Sequence, residues 1–216
     1  MTWKEAFLNA RVRWAIIFCA VTFLLMFLYM PAYYRDVINP RKGILMNDPF
    51  LNLFTPRDWY LIIFFILYVA VGHTLFIYRN NPIVFITGVT TYCLVNILRT
   101  ISMYLLTLEP PTGMILLRDP ISSALYPETG FAKDLFFSGH VSTIMVVTLL
   151  DSNPISKGLK ITGTVIIGVL LAWQRVHYTI DLLAAPAATY AAFLIVRKYF
   201  EIRAQNGDLS ENTKTN

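Results

Sequence analysis

Three observations predict an all-α, polytopic membrane protein built as a six-transmembrane-helix bundle. Hydrophobic residues fill 56% of the 216 positions and the mean hydropathy is +0.55, more apolar than a soluble domain of this length sustains. The apolar residues come in continuous runs without period-two alternation, which argues against a closed barrel and for helices, the other fold that satisfies every backbone group in lipid. Six runs reach or approach the roughly 20 residues that a hydrocarbon core requires.

The first run, about Trp14–Met30, follows a basic start (Lys4, Arg11, Arg13) and shows no small-residue cleavage site before "MPAYYRD". It reads as a retained helix and not as a signal peptide. Next comes "GILMNDPFLNLF", apolar enough to lie in the membrane interface as a lid or lipid entrance, or simply to pack as a loop. The second run is Trp59–Tyr78; Trp59 and Tyr60, with Tyr33 and Tyr34, fit an interfacial aromatic belt. Ile83–Leu108 is the third and carries Asn96 and Arg99, while Phe136–Leu150 and Leu159–Trp173 are shorter fourth and fifth runs. His177–Phe200 is the sixth. The six runs make residues 1–200 one membrane domain, and the polar tail "EIRAQNGDLSENTKTN", 201–216, is expected to be a disordered cytoplasmic extension. Cys19 and Cys93 both fall inside runs and imply no disulfide framework.

Basic residues orient the bundle. With the first segment inside, ten Lys and Arg lie on the cytoplasmic side (4, 11, 13, 79, 157, 160, 197, 198, 203 and 214) and seven on the other (35, 41, 42, 57, 118, 133 and 175). The cytoplasmic ones crowd the span ends and short loops, where this bias counts most. Both termini are then cytoplasmic. His140, His177, Asp181 and the Glu109–Asp134 loop all fall on the extracytoplasmic side, and the expected location is a plasma (inner) membrane.

Those polar residues suggest chemistry. In "HYTID", His177 and Asp181 are four apart and share a helix face. The carboxylate either holds one imidazole nitrogen so that the other becomes nucleophilic, or forms a structural pair at a helix end. Arg99 lies nine residues before the end of its run, roughly 13 Å deep. A guanidinium at that depth serves either a phosphate, which its planar fork matches, or a salt bridge to Asp134 or Glu109. "SGH", Ser138 to His140, supplies a hydroxyl, a close backbone approach at Gly139 and free helix N–H groups suited to an anion. Two histidines 37 residues apart, an aspartate and an arginine at one membrane surface predict phosphoryl transfer through a phosphohistidine. His73, by contrast, falls near the cytoplasmic end of its run and reads as a packing residue.

The segments "LRTISMYLLTLEPP", "KDLFFSGHVS" and "HYTIDLLAAP" resemble the membrane-embedded sphingomyelin synthase family, a branch of the type 2 phosphatidic acid phosphatase superfamily. The similarity runs from about Leu94 to Pro186. It implies six spans, an active site facing away from the cytoplasm, and transfer of a phosphodiester head group to a lipid hydroxyl such as that of ceramide. His177 would be the nucleophile, Asp181 its partner and His140 the acid for the departing oxygen, with Asp134 matching an acidic position of the synthases. Wider relatives hydrolyse lipid phosphate monoesters, but their Lys-x6-Arg-Pro and Ser-Arg signatures are missing here: Tyr92 and Thr100 flank Arg99 instead, and "VLLAW" precedes the second histidine.

The expected function is thus lipid head-group transfer, with lipid phosphate hydrolysis at the same site as the alternative and transport a weaker one. Candidate phosphate ligands are Arg99, Ser138, Gly139, Arg175 and Lys133; Glu109 and Asp134 are candidate acidic members. "RVHY", with Arg175, and nearby Lys133 make a basic rim that suggests an anionic donor or product. A membrane lipid is the expected partner, nucleic acid is not, and no cofactor or metal is called for, since three scattered histidines make a poor metal site.

Overall fold

The computed structural model describes residues 2–117 and 133–212, so the part of the outer loop from 118 to 132, including Arg118, lies outside the described residues. The described chain is helical. The elements are α1 (Trp3–Leu8), α2 (Ala10–Ala32) continuing into a wide π-helical turn (Tyr33–Ile38), a 3-10 turn (Leu51–Leu53), α3 (Tyr60–Tyr78), α4 (Pro82–Leu105), α5 (Gly139–Leu150), α6 (Pro154–Trp173) and α7 (Thr179–Asn212). Among the described residues, five helices are long and apolar enough to cross a membrane. The fourth run, expected from Phe136, is helical only from Gly139, and its 12 residues rise about 18 Å.

Local chemistry sets these bounds. Asn153 places its side-chain oxygen on the Ile155 and Ser156 N–H groups and is followed by Pro154, so α6 begins five residues earlier than the apolar run suggests. Ser138 caps α5 in the same manner, its Oγ accepting from Val141 N at 3.5 Å. α1, which the apolar runs did not reveal, is a short helix opened by a capping box of Thr2 and Glu5. Its Trp3 indole donates to the Arg79 carbonyl at 2.8 Å, tying the N-terminus to the α3–α4 turn. α7 stays helical beyond the boundary expected at 200, to Asn212, and residues 213–216 lie outside the described ones.

Short α5 is the hub. It packs against α3, α4, α6 and α7, whereas α2 lies at the periphery and packs mainly on α4. The core joins Ile63, Phe64 and Leu67 of α3, Val95 of α4, Val141, Ile144 and Val147 of α5, Ile167 and Leu171 of α6, and Ala185 and Ala192 of α7. Far along α5 from His140, the α5–α6 turn buries an ion pair. Lys160 Nζ lies 2.6 Å from both Asp151 Oδ2 and Thr74 Oγ1, with the side chains only 5% and 2% exposed. Lys160 is therefore not a free cytoplasmic charge, and that half of the bundle is not purely apolar.

Candidate active site

α5 begins below the ends of α3 and α4, so that its N-terminus is recessed among them. The His140 ring meets Phe64 edge-on at 5.5 Å between centroids. Phe64 lies four residues inside α3, about 6 Å from its end, and Arg99 is six residues before the end of α4, about 9 Å in and shallower than the apolar run implied. Non-helical residues 133–138 descend between these helices to reach the α5 N-terminus.

Arg99 closes the wall of the recess. Its Nε donates to the Phe137 carbonyl at 2.8 Å and its Nη2 to Asp134 Oδ1 at 2.6 Å, so the partner is Asp134 and not Glu109. Burial pushes the Asp134 carboxyl up. The Arg99 charge, the Tyr34 hydroxyl and His177 more than offset that, and the group sits below its ordinary value of 3.8. Gly139 makes room for this arginine: a Cβ there would stand 2.6 Å from Cζ and Nη1 of Arg99. The close backbone approach expected of "SGH" thus admits a guanidinium.

The start of α7 adds the histidine and the carboxylate. Asp181 is the third residue of the helix, and its Oδ2 accepts the Tyr178 N–H at 3.0 Å. His177 Nδ1 lies 3.6 Å from the same oxygen, just outside hydrogen-bond range, with both side chains buried. His177 Nδ1 and Asp181 Oδ1 have no hydrogen-bond partner among the described residues. The two helix starts are joined directly, for Ser138 N–H donates to the Asp181 carbonyl at 3.2 Å.

No protein-family model matches the chain, and a comparison with curated proteins finds no match. What the site can do follows from its geometry. Arg99, Asp134, Gly139, His140, His177 and Asp181 come together from three helices, the turn before α7 and one descending segment. Ser138 belongs to the same wall, but it is buried and its Oγ and carbonyl serve as the α5 cap and first-turn acceptor. Among the described residues no three His, Cys, Asp or Glu side chains form a metal-binding group. His73 is exposed on α3, nine residues from Phe64, about 14 Å along the helix.

The two expected rim residues, Arg175 and Lys133, and the candidate acidic member Glu109 have other partners. Arg175 donates to the carbonyls of Thr112 at 2.7 Å and of Leu51 and Phe54 at 3.3 Å each, so its guanidinium ties loops together. Lys133 Nζ binds the Arg41 carbonyl at 2.8 Å and Glu109 Oε1 at 2.9 Å. Glu109 also accepts the Gly43 N–H at 2.7 Å, and these two donors hold its carboxyl below the usual range. Gly43 and Glu109 flank a parallel bridge between Ile44 and Leu108. Of the "GILMNDPFLNLF" loop, Leu51 is buried in a cluster beside Tyr178 and Ala172, whereas Ile44, Leu45, Met46, Phe50 and Leu53 are exposed.

Two residues at this junction were not singled out from the sequence. Gln174, fully buried, accepts from Trp59 N at 2.9 Å and donates to the Ile115 carbonyl at 3.2 Å. Asp48 accepts the Thr179 N–H at 2.7 Å and the Thr179 hydroxyl at 3.1 Å, capping α7 from 131 residues away. The Asp-Pro pair in "NDPF" marks a turn, but no sequence pattern links it to "HYTID".

Proposed function

We propose that this chain is a lipid head-group phosphotransferase that works through a phosphohistidine at His177. The observation that carries the reading is the recess itself: an arginine laid against an anion-suited helix start, facing a histidine whose Nδ1 is turned to a buried carboxylate. With Nδ1 beside Asp181, Nε2 is the nitrogen left to attack phosphorus. The N–P bond forms as the P–O bond to the leaving lipid alcohol breaks, and His140 protonates that oxygen. In the second half, an acceptor hydroxyl gives its proton to His140 while its oxygen attacks phosphorus, the N–P bond breaks, and His177 is restored. Arg99, whose Nη1 is engaged by neither Asp134 nor Phe137, and the first N–H groups of α5 hold the phosphoryl oxygens.

The resemblance of "KDLFFSGHVS" and "HYTIDLLAAP" to sphingomyelin synthases favours a lipid hydroxyl over water as acceptor. In this reading α5 is a sixth crossing, both termini are cytoplasmic, and the recess opens to the extracytoplasmic side of a plasma membrane. The anionic-donor suggestion loses its footing, because Arg175 and Lys133 are bound to loop carbonyls and to Glu109. The test is a lipidomic comparison of cells with and without the protein, joined to turnover of a fluorescent phosphodiester lipid by the purified protein. Appearance of a new phosphodiester lipid supports transfer. Loss of a lipid monoester alone indicates hydrolysis, and full turnover by His177→Ala overturns the mechanism.

A further inference from the structure

His177 sits in the five-residue turn between α6 and α7, residues 174–178, whose first half is closed onto α6 by the Arg175 N–H to the Ala172 carbonyl and the Val176 N–H to the Leu171 carbonyl, both 2.9 Å, while its second half leads into α7. The turn begins with strain: Arg175 has φ 57°, a left-handed conformation that favours glycine. It ends at the start of α7, whose first N–H groups need acceptors from outside the helix. Both needs are met by the loop of residues 43–59. The Leu51 and Phe54 carbonyls take the Arg175 guanidinium, the Met46 N–H donates to the Tyr178 hydroxyl at 3.3 Å, and Asp48 takes both the N–H and the hydroxyl of Thr179. Asp48 is itself fixed, for its Oδ1 accepts the Phe50 N–H at 3.0 Å.

We infer that Asp48 is a positioning residue for His177: by capping Thr179 it fixes the first turn of α7, and with it the nucleophile two residues before and the Asp181 carboxylate two residues after. The inference rests on the phosphohistidine reading. The geometry makes precision matter here. His177 Nδ1 and Asp181 Oδ2 are 3.6 Å apart, so a small movement of the first turn separates a closed pair from an open one. A misplacement on the order of 1 Å at a reacting group can lower a rate by about 100-fold. Both oxygens are used, Oδ2 by the Thr179 N–H and Oδ1 by the Phe50 N–H and the Thr179 hydroxyl, so an asparagine, with a single acceptor oxygen, can replace only part of the cap.

The experiment uses the full-length protein in detergent micelles with a fluorescent phosphodiester lipid, comparing wild type, Asp48→Ala, Asp48→Asn and Thr179→Ala. Wild-type turnover and its loss in His177→Ala test the phosphohistidine reading separately, so its failure is distinguishable from failure of this one. Asp48→Ala is expected to lower kcat by about 10- to 100-fold with KM within twofold, and to reduce phosphohistidine trapped on His177 in proportion. Asp48→Asn, which keeps one acceptor oxygen of the two, should have a kcat between those of wild type and Asp48→Ala. Thr179→Ala, which keeps the backbone bond, carries the test in milder form should Asp48→Ala fail to accumulate: a lower kcat at constant KM supports the inference. Wild-type kcat in a folded Asp48→Ala or in Thr179→Ala overturns it, as does a rise in KM alone.

Discussion

Arg99 and Gly139 fit together as filler and gap: the guanidinium of α4 occupies the space that any side chain at the second residue of "SGH" would need, 2.6 Å from where its Cβ would stand. Because the obstructing atoms are the far end of a flexible side chain, Gly139→Ala need not disrupt the fold. It must move Arg99. The expected outcome is therefore a selective one, a loss of kcat on the order of 10–100-fold with little change in thermal stability, read by lipid turnover alongside a melting curve in detergent. Arg99→Lys should cost a similar factor, since a point charge cannot hold Asp134, the Phe137 carbonyl and a phosphate oxygen at once.

His177 and His140 should separate by half-reaction. His177→Ala removes the attacking nitrogen and should abolish both turnover and phosphoenzyme. His140→Ala removes only the proton donor, so a donor with a good leaving group should still label His177 slowly, with the overall rate lower by about 100- to 10,000-fold. Acid-labile, base-stable label on the His140→Ala protein and none on His177→Ala is the result to look for; equal labelling of both would reverse the roles.

The Asp134 carboxylate gives a pH prediction whose sign is fixed. Its folded value lies below the ordinary 3.8, so the Arg99–Asp134 pair contributes stability fully above the unfolded value, and that contribution disappears only as pH falls through the lower folded one. Between about pH 5 and 8 the difference in stability between wild type and Asp134→Asn should therefore be constant. It should shrink below about pH 4. With side chains 12% and 29% exposed, removing the carboxylate leaves a mostly buried guanidinium unpaired, and a loss of about 1–3 kcal/mol is expected. Unfolding curves at several pH values check it; a gap that widens on acidification would contradict the pairing.

Long apolar runs made α2, α3, α4, α6 and α7 legible in the sequence, because a hydrocarbon solvent leaves few alternatives. The start of α5 was not, since Phe136 and Phe137 are apolar yet non-helical, and the backbone of Phe137 is what Arg99 needs. The recess residues His140, His177, Asp181 and Arg99 were readable as ionisable groups in an apolar setting. Arg175, Lys133 and Glu109 looked equally chemical and are tied mainly to backbone groups of remote loops, partners that leave no side-chain trace. Asp48 was hidden for the same reason, its main partner being a backbone N–H far along the chain. Lys160 was read as a surface charge because its partner, Asp151, precedes the helix that carries it.

That last pair yields a prediction about the end of the bundle away from His140 and His177. Lys160 Nζ and Asp151 Oδ2 are 2.6 Å apart and nearly fully buried, and Thr74 of α3 completes the shell, so α3, α5 and α6 meet on one ion pair. Taking two charges out of water is costly, and their attraction only roughly offsets it, whereas removing one partner strands the other. Lys160→Met alone should therefore destabilise by about 3–5 kcal/mol, and Asp151→Leu alone by a similar amount. The double variant should recover most of that loss, leaving a large favourable coupling term in a double-mutant cycle. Asp151 follows the end of α5, 11 residues beyond His140, about 16 Å along the helix. Turnover by folded double variant should accordingly stay within about twofold of wild type, because no contact of the recess is altered. Losses that simply add in the double variant would mean that the two charges do not stabilise one another. A loss of turnover in a stable double variant would mean that this end of the bundle takes part in the reaction.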